Sequence, residues 1–243
     1  MGRFRHAADR WMGWPAGNQG SGNLGVVNNP NFEQMRASMV VSQLRTTGVR
    51  NPKVIAAMAS VAREDFVEPG RRAVAYADRA TAMGNGRSLL PPEVLGALLE
   101  KAALVGGERV LVIGGGTGYS AMVLAHMGCA VTLLESDADL AARARVLTGG
   151  KVNVVEGPLE QGSSQGAPFD FILIDGGVEE VPAAIIDLLV DGGQLATVRI
   201  DSLGVGRDAI GVRVGNSFGL DDFADAPDAQ RLPGFARARA FQF

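Results

Sequence analysis

The spacing of hydrophobic positions divides the chain into helical and strand-like parts. From residue 31 apolar side chains recur at helical spacing, which predicts a first helix that runs to about Thr46. Asn51 and Pro52 suit the N-cap and the first position of a second helix. Beyond Pro92 short unbroken apolar runs alternate with helical stretches, as is typical of buried parallel strands joined by helices. The pattern predicts an α/β protein with an N-terminal helical extension.

The predicted sheet is doubly wound, mostly parallel and seven-stranded, and its last two strands form an antiparallel pair at one edge. The strands are expected at residues 110–113, 130–134, 152–155, 168–175, 194–199, 210–214 and 238–243. The intervening helices are expected at residues 92–104, 120–127, 137–147 and 181–189. Asp191–Gly193 is predicted to stop the last of these helices, and the acidic stretch Asp221–Asp228 is interpreted as a solvated connection.

The apolar run that begins at Arg109 stops in a cluster of glycines, and this stretch organises the predicted site. Gly114, Gly116 and Gly118 have no Cβ, so the backbone can turn tightly and a ligand can approach its N–H groups. A helix is predicted directly after them. A strand, a glycine turn and a helix together predict a cradle for a nucleotide.

The spacing of these glycines indicates which nucleotide the cradle suits. The dinucleotide fingerprint G-x-G-x-x-G would place its third glycine at Tyr119, so the sequence counts against NAD. The next predicted strand ends at Glu135, about twenty residues past the glycines, where an acidic side chain can accept hydrogen bonds from both ribose hydroxyls. Adenosine with free hydroxyls fits this pattern. The alternative interpretation is a tight turn that binds no ligand.

Composition excludes several classes of protein. The chain has 243 residues, of which 47% are hydrophobic, and a formal net charge of −3. Since it lacks the basic excess that neutralises a phosphate backbone, no nucleic-acid partner is expected. The single cysteine, Cys129, excludes an intrachain disulfide and is interpreted as a small buried side chain. His6 and His126 are the only histidines, so neither a metal site nor a Ser-His-acid triad is expected.

The remaining features concern location and organisation. No apolar run reaches the length of a membrane span and the N-terminus has no apolar signal region, so we expect a cytoplasmic protein without a membrane partner, and a monomer is favoured. Residues 1–30 are rich in Gly and Asn, carry Trp11 and Trp14 and lack periodicity, so they are interpreted as a flexible tail. A helical region at residues 31–92 and an α/β domain at residues 93–243 are expected to follow.

Several short motifs are more specific than the glycine turn. They are Met39-Val-x-x-Gln-Leu44, Gly48-Val49, Val54 with Ala57-Met58, Val61-x-Arg-Glu-x-Phe-Val67, Tyr76-Ala-Asp78 and Pro168-Phe-Asp170. With the glycine turn, they resemble the protein-L-isoaspartate O-methyltransferase family from about Asn31 to Val198. The resemblance implies a Rossmann-like class I methyltransferase fold. It also implies an enzyme that transfers a methyl group from S-adenosylmethionine to the side-chain carboxylate of isoaspartyl residues in damaged proteins.

The resemblance implies roles for individual residues. The substrate side of the site is formed by Gly84 to Ser88 with Asp78, and the catalytic candidates are Ser88, Asp78 and Arg87. No metal is implied. The residues expected to bind S-adenosylmethionine are Gly114, Gly115, Gly116, Gly118, Tyr119, Glu135 and Gly157.

The chain departs from the family pattern at three positions of the expected site. Arg87 replaces a glutamine, and Leu90 replaces a serine whose hydroxyl can hydrogen bond the reacting carboxylate. Arg87 is interpreted either as a clamp for the substrate carboxylate or as a solvated loop arginine. Val112 replaces an acid that helps to hold the methionine end of the cofactor.

Two aspartates of the fourth parallel strand are expected at its opposite ends. Asp170 is placed at the entrance, far from the ligand, and Asp175 at the exit beside the glycine turn. Asp175 is interpreted either as an acid that orients a substrate or as a strand-terminal aspartate that bonds the turn at Gly176 and Gly177.

Three interpretations of function stay open. The first is an isoaspartyl methyltransferase with an altered substrate loop. The second is a methyltransferase that acts on another carboxylate or on a hydroxyl, since Arg87 and Leu90 reshape the pocket. The third is a non-catalytic descendant that binds S-adenosylmethionine or a protein partner.

Overall fold

The structure is a computed structural model that describes residues 30–237. Within these residues the strands lie at Thr81–Gly84 (β1), Arg87–Leu89 (β2), Arg109–Ile113 (β3), Ala130–Glu135 (β4), Asn153–Glu156 (β5), Phe169–Val178 (β6), Leu189–Ile200 (β7), Gly206–Val212 (β8) and Leu220–Asp225 (β9). The α-helices lie at Phe32–Met39 (α1), Pro52–Ser60 (α2), Pro92–Ala102 (α3), Tyr119–His126 (α4), Ala138–Thr148 (α5) and Ala183–Ile186 (α6). Short 3-10 turns occur at Arg63–Asp65, Pro69–Val74 and Leu159–Gln161.

Seven strands form one sheet, in the order β5-β4-β3-β6-β7-β8-β9, and β1 and β2 form a separate hairpin. Strands β3 to β7 pair in parallel, and β8 and β9 are antiparallel. The predicted mostly parallel seven-stranded sheet is therefore confirmed. The chain order reverses beside β3, between β4 and β6, and open α/β sheets bind their ligands at the carboxyl ends of strands next to such a point.

The central strands β3 and β6 form the core of the molecule. Val110 to Ile113 and Phe171 to Ile174 have no exposed surface, because helices cover both faces of the sheet. One face packs against α2, α3, α4 and α5. The other packs against α6 and the C-terminal residues Leu232 and Phe235. The C-terminal segment thus reaches the carboxyl edge of β6.

The N-terminal helices form as their caps predict and pack on the α/β domain. The Asn31 side chain accepts a hydrogen bond from the backbone of Gln34 at the start of α1, and the Asn51 side chain caps α2 at Lys53. A π-helical turn at Val40–Leu44 continues α1. Leu44 lies so close to α3 that a Cβ at Gly96 would be 2.8 Å from its Cδ2. Because Gly96 has no side chain, Leu44 packs directly on the backbone of α3.

The predicted helix at residues 181–189 is wrong in length. Only Ala183–Ile186 is helical, and β7 already begins at Leu189. The predicted stop at Asp191–Gly193 lies inside this strand, because Gly192 N donates to the carbonyl of Arg213 at 2.8 Å and Arg213 N donates to that of Gly193 at 2.9 Å. Pairing with a chain segment twenty residues away therefore takes precedence over the local turn signal.

The acidic stretch is a strand, not a solvated connection. Leu220–Asp225 forms β9, the edge strand, antiparallel to β8. Its carboxylates pair with arginines of β7 and β8, with Asp222 bound to Arg199 and Asp225 within 4.0 Å of Arg207. Charged side chains suit an edge strand because one side of it faces water. The predicted strand at residues 238–243 lies outside the described residues, as does the predicted tail apart from Pro30.

None of the helices between residues 30 and 237 combines the length and the apolar composition that a bilayer crossing needs.

Candidate active site

The glycine turn joins β3 to α4 at the carboxyl edge of the sheet, as predicted. Gly114, Gly116 and Gly118 have φ angles of 73°, 56° and 97°, in the left-handed region that side chains other than glycine rarely adopt. Gly115 is restricted by space instead, since a Cβ there would lie 2.7 Å from a methyl carbon of Leu133. The backbone conformation therefore requires glycine at 114, 116 and 118, and the lack of space requires it at 115.

Glu135 ends β4 beside this turn and is fully buried. Its Oε2 accepts a hydrogen bond from Gly116 N at 2.8 Å, and its Oε1 accepts from Ser136 N at 2.8 Å and from Asp137 N at 3.1 Å. Hydrogen bonds from backbone N–H groups stabilise the ionised carboxylate. Gly157, also expected near the cofactor, donates from its backbone to the Glu135 carbonyl at 3.1 Å.

Arg87 binds Glu135 directly. Its Nη1 lies 3.1 Å from Oε1 of Glu135, and its Nη2 donates to the carbonyl of Gly114. The Arg87 side chain is 9% exposed, so the interpretation as a solvated loop arginine is wrong. The structure places this guanidinium on the carboxylate that the sequence assigns to ribose.

Met83, on the other strand of the hairpin, covers the middle of the turn. A Cβ at Gly116 would overlap the Met83 sulfur, and Thr117 N lies 3.4 Å from that sulfur. Leu232 closes the turn from the C-terminal side, since a Cβ at Gly114 would be 3.0 Å from its Cδ1. The chain's own side chains therefore fill the space above the glycines.

The hairpin is held over the turn by polar contacts at its loop and at β1. Asn85 Nδ2 donates to both carboxylate oxygens of Asp137 at 3.0 Å. The amide of Gln230 donates to the carbonyl of Gly86, and Arg143 donates to that of Met83. These contacts join the hairpin to α5 and to the C-terminal segment.

The hydrogen-bonding groups at the turn suit adenosine, but in this structure Arg87 and Met83 fill the space beside them. A strand-terminal carboxylate and a glycine turn at a helix N-terminus are the groups that bind ribose and the adjoining chain of a nucleotide. The Glu135 oxygens, however, are held by Arg87 and by backbone N–H groups, and Met83 lies on Gly116. An adenosine cofactor fits here only when these two side chains leave.

The other substrate-side candidates lie apart from this contact. Asp78 is exposed and accepts a hydrogen bond from the backbone of Glu93 at 3.1 Å. Its hydrogen bond to the Glu93 carboxyl raises the pKa of Glu93 to about 7. Ser88 is half-buried in β2 opposite Ala82. The structure brings only Arg87 of the three catalytic candidates into contact with the glycine turn.

Asp175 lies within β6, which continues to Val178, and not at the end of the strand as predicted; it is one residue beyond the pairing of Ile174 with Ile113 of β3. Its carboxylate accepts a hydrogen bond from the Ser120 hydroxyl of α4, and burial raises the pKa of Asp175 to about 6. The predicted turn bonds with Gly176 and Gly177 are wrong within residues 30–237, because Gly177 N donates to the carbonyl of Gln230 instead. Asp170 lies at the far end of β6, as predicted, and its carboxylate accepts a hydrogen bond from Arg109 N.

Arg63 is the buried residue that sequence reasoning missed. Its Nε donates to the Ala75 carbonyl at 2.7 Å, and its Nη2 donates to the Leu90 carbonyl at 2.6 Å. The guanidinium also lies 4.9 Å from the ring centroid of Tyr119. Arg63 thus fixes the end of the substrate loop to the first residue of α4. Its position inside a motif that resembles the family was the signal that could have found it.

Comparison with known proteins decides the family. The sequence model of the family described as protein-L-isoaspartate(D-aspartate) O-methyltransferase matches residues 35–202. The chain belongs to this family. The match begins within α1 and includes α2, the hairpin and the glycine turn.

Individual relatives agree with this assignment. Protein-L-isoaspartate O-methyltransferase 1 of Rhodopseudomonas palustris (strain HaA2) is 40% identical over 168 residues, which cover 68% of this chain and 69% of the relative. The protein-L-isoaspartate O-methyltransferase of Methylorubrum populi is 40% identical over 163 residues, which cover 66% of this chain and 77% of the relative.

Solved structures of this kind share the fold. A protein-L-isoaspartate O-methyltransferase superposes with a TM-score of 0.71 at 21% identity, covering 82% of this chain and 67% of the other. A putative Plasmodium falciparum protein of the same description, solved with S-adenosyl-L-homocysteine, superposes with a TM-score of 0.67 at 17% identity, covering 81% and 96%. At these identities the comparison concerns the fold alone.

Proposed function

We propose that this protein is an S-adenosylmethionine-dependent O-methyltransferase that methylates the side-chain carboxylate of isoaspartyl residues in damaged proteins, as a repair reaction. The observation that carries the proposal is the family match over residues 35–202, which spans every element of the candidate site except the C-terminal segment. The carboxylate of Glu135 beside the Gly116 N–H group supports an adenosine cofactor in particular.

The proposal assigns roles to the residues of the site. Asp78, Ser88 and Arg87 face the substrate. The residues that hold S-adenosylmethionine once the hairpin has moved are Gly114, Gly115, Gly116, Gly118, Tyr119, Glu135 and Gly157. When bound, the cofactor supplies an activated methyl group. A carboxylate acceptor is already ionised near neutral pH, so the protein needs to align and shield the reactants and not to supply a strong base.

The proposal also covers organisation and location. Residues 31–92 supply the substrate-facing part and residues 93–243 the cofactor domain. We propose a cytoplasmic monomer whose substrates are isoaspartyl proteins and peptides, without nucleic-acid or membrane partners. The net charge of −3 and the single buried Cys129, which cannot form an intrachain disulfide, support this part.

A second candidate is a methyltransferase of another acceptor. Leu90 favours it, because its buried alkyl side chain stands where the family has a serine and offers no hydrogen bond to a carboxylate. The two candidates are distinguished by measuring methyl transfer from one preparation to an isoaspartyl peptide and to a panel of other carboxylates and hydroxyls.

The experiment combines binding with turnover. Calorimetric titration with S-adenosylhomocysteine is followed by transfer of labelled methyl groups to an isoaspartyl peptide and to its aspartyl twin. We expect binding and selective methylation of the isoaspartyl peptide. A Glu135→Gln protein purified in parallel controls for the methyltransferase of the expression host. Binding without isoaspartyl turnover would shift the assignment to the second candidate, and a folded protein that binds no cofactor would overturn both.

A further inference from the structure

The β1–β2 hairpin occupies the place in which the proposed cofactor would bind. Arg87 donates hydrogen bonds to the Glu135 carboxylate and to the Gly114 carbonyl. Met83 packs on Gly116, and its sulfur lies against the Thr117 N–H group. Met83 is 1% exposed. Each side chain thus lies on a group that ribose or the methionyl chain would need.

We propose that the hairpin is a built-in plug, so that S-adenosylmethionine enters the cradle only by displacing Arg87 and Met83. The proposal rests on the proposed function and concerns the regulation of the same site. It assigns the cofactor affinity of the wild-type protein to two side chains of the hairpin. The free protein is then mostly closed, and its apparent affinity is reduced by the fraction of molecules that are open.

The hairpin is built to move as a unit. It pairs with no strand of the seven-stranded sheet, and its own strands have four and three residues. A two-stranded hairpin of this size is marginally stable by itself. Its turn contains Asn85 and Gly86 with φ angles of 51° and 70°, a tight loop that keeps the two strands together. Its position therefore depends on side-chain contacts and on a backbone hydrogen bond from Glu68 N to the Ala82 carbonyl, and not on the sheet.

The Glu135 carboxylate stays hydrogen bonded when the hairpin moves away. Without Arg87, Glu135 keeps its three backbone donors at Gly116, Ser136 and Asp137, so its buried charge is still hydrogen bonded. Ribose hydroxyls would then replace the guanidinium as donors. Met83 has an unbranched, flexible side chain that can take another rotamer with little strain. The Gly114 carbonyl and the Thr117 N–H group lose Arg87 and Met83 as partners, and both are then free to bind the cofactor.

The first test measures S-adenosylhomocysteine affinity by calorimetry. We expect Arg87→Gln to bind at least fivefold more tightly than the wild type, because glutamine is shorter and cannot form the ion pair with Glu135. Met83→Ala is expected to bind more tightly as well. Arg109→Gln is the matched control, because this arginine pairs with Asp170 at the opposite end of the sheet. The S-adenosylhomocysteine affinity of this variant should stay within twofold of the wild type.

The outcomes separate the two proposals. If the wild type, Arg87→Gln and Met83→Ala bind with equal affinity, or the variants bind more weakly, the plug is overturned while the cofactor assignment stands. If no folded variant binds, both are overturned.

A second measurement follows the plug itself in the wild-type protein. Wild-type protein labelled with ¹³C at methionine methyl groups is titrated with S-adenosylhomocysteine, and the Met83 signal is assigned by its absence in Met83→Leu. We expect this signal to move to the position of a solvent-exposed methionine on binding. The signal of Met58, which is fully buried in α2, should stay in place. A Met83 signal that stays at its closed position at saturation would overturn the plug.

Discussion

Glu135 carries the largest concentration of hydrogen bonds in the candidate site. Five donors converge on one fully buried carboxylate: three backbone N–H groups, the Ser136 hydroxyl and Arg87. A carboxylate in this setting is stable only as long as the donors stay in place, because a buried charge without partners costs several kcal/mol. The residue therefore serves the fold as well as the ligand.

The Glu135→Gln variant is expected to lose both properties. Its amide group would face the guanidinium of Arg87, donor against donor, so we expect the free energy of unfolding to fall by about 3 kcal/mol. S-adenosylhomocysteine affinity should fall more than tenfold. Urea unfolding and calorimetry measure the two effects. Glu156→Gln is the matched control, because Glu156 ends the next strand but pairs with Arg145 at the surface; a loss of equal size in that variant would contradict the role of Glu135.

Asp208 is a buried acid of a different kind. It is 1% exposed, and its Oδ1 has no hydrogen-bond partner within residues 30–237. Burial, together with the nearby charge of Glu93, raises the pKa of Asp208 to about 7. In the unfolded chain an aspartate titrates near its ordinary pKa of about 3.9.

This difference predicts how stability depends on pH. Below about pH 4 both states hold the proton and Asp208 has no effect. Between about pH 4 and 7 only the unfolded state releases it, so Asp208 lowers the stability of the native state progressively, and above pH 7 the cost is constant. Asp208→Asn is therefore expected to match the wild type at pH 4 and to exceed its free energy of unfolding by about 4 kcal/mol at pH 8. Urea unfolding over this range measures the effect, and a constant difference at every pH would contradict it.

At the scale of elements, the glycine turn and the hairpin behave as one packed unit. Alanine at position 116 would meet the Met83 sulfur and would also need a left-handed backbone, since φ is 56°. We expect Gly116→Ala to lower the free energy of unfolding by about 3 kcal/mol, through strain and overpacking together. In a Met83→Ala background the cost should fall to about 1 kcal/mol, because only the backbone strain remains.

A double-mutant cycle tests this coupling. Gly118→Ala supplies the matched control, because a Cβ there would meet Thr148 and Ala144 and not Met83. Its effect should add to that of Met83→Ala without coupling. Additive effects at position 116 would show that the sulfur does not restrict the turn.

Elements whose signal is local could be predicted from the sequence, and those that depend on distant partners could not. The strand before the glycine turn, the Asn51 cap and the acid at the end of β4 follow from adjacent residues, and the structure has them as predicted. The acidic strand β9 exists because Arg199 on β7 and Arg207 on β8 compensate its charge. No pattern within β9 itself indicates this.

The same distinction applies to the candidate site. The glycines, Glu135 and the hairpin loop are visible in the sequence as types and spacings. The contact between Arg87 and Glu135 joins residues 48 positions apart, and it depends on how the hairpin docks. Arg87 was therefore expected on the substrate or in water, and its burial against the ribose-binding acid was missed. The bond between Ser120 and Asp175, 55 positions apart, was missed for the same reason.

At the scale of the whole molecule, the proposed cofactor should stabilise the native state as a ligand. A ligand at 100 times its dissociation constant raises the free energy of unfolding by about 2.7 kcal/mol. For a protein of this size we expect a rise in Tm of about 5 to 10 °C with S-adenosylhomocysteine. At one fixed, subsaturating concentration the rise should be larger in Arg87→Gln than in the wild type, and nearly absent in Glu135→Gln. Thermal scans measure all three, and equal shifts would contradict the role of the two residues.

The glycine turn and the hairpin are covered on one side by residues that come late in the sequence. Gln230 binds the hairpin loop across 144 positions of sequence, and Leu232 covers Gly114, both beyond residue 202 where the family match ends. On the ribosome the glycine turn and the hairpin emerge well before these residues, and chains fold from the N-terminus as they are made. In a nascent chain the cradle would therefore lack its cover on one side until these residues emerge. Under the plug proposal, protein synthesised with cofactor present would fold around the ligand, whereas protein refolded without cofactor would fold with the hairpin already seated, so the two preparations would start in different states of the cradle.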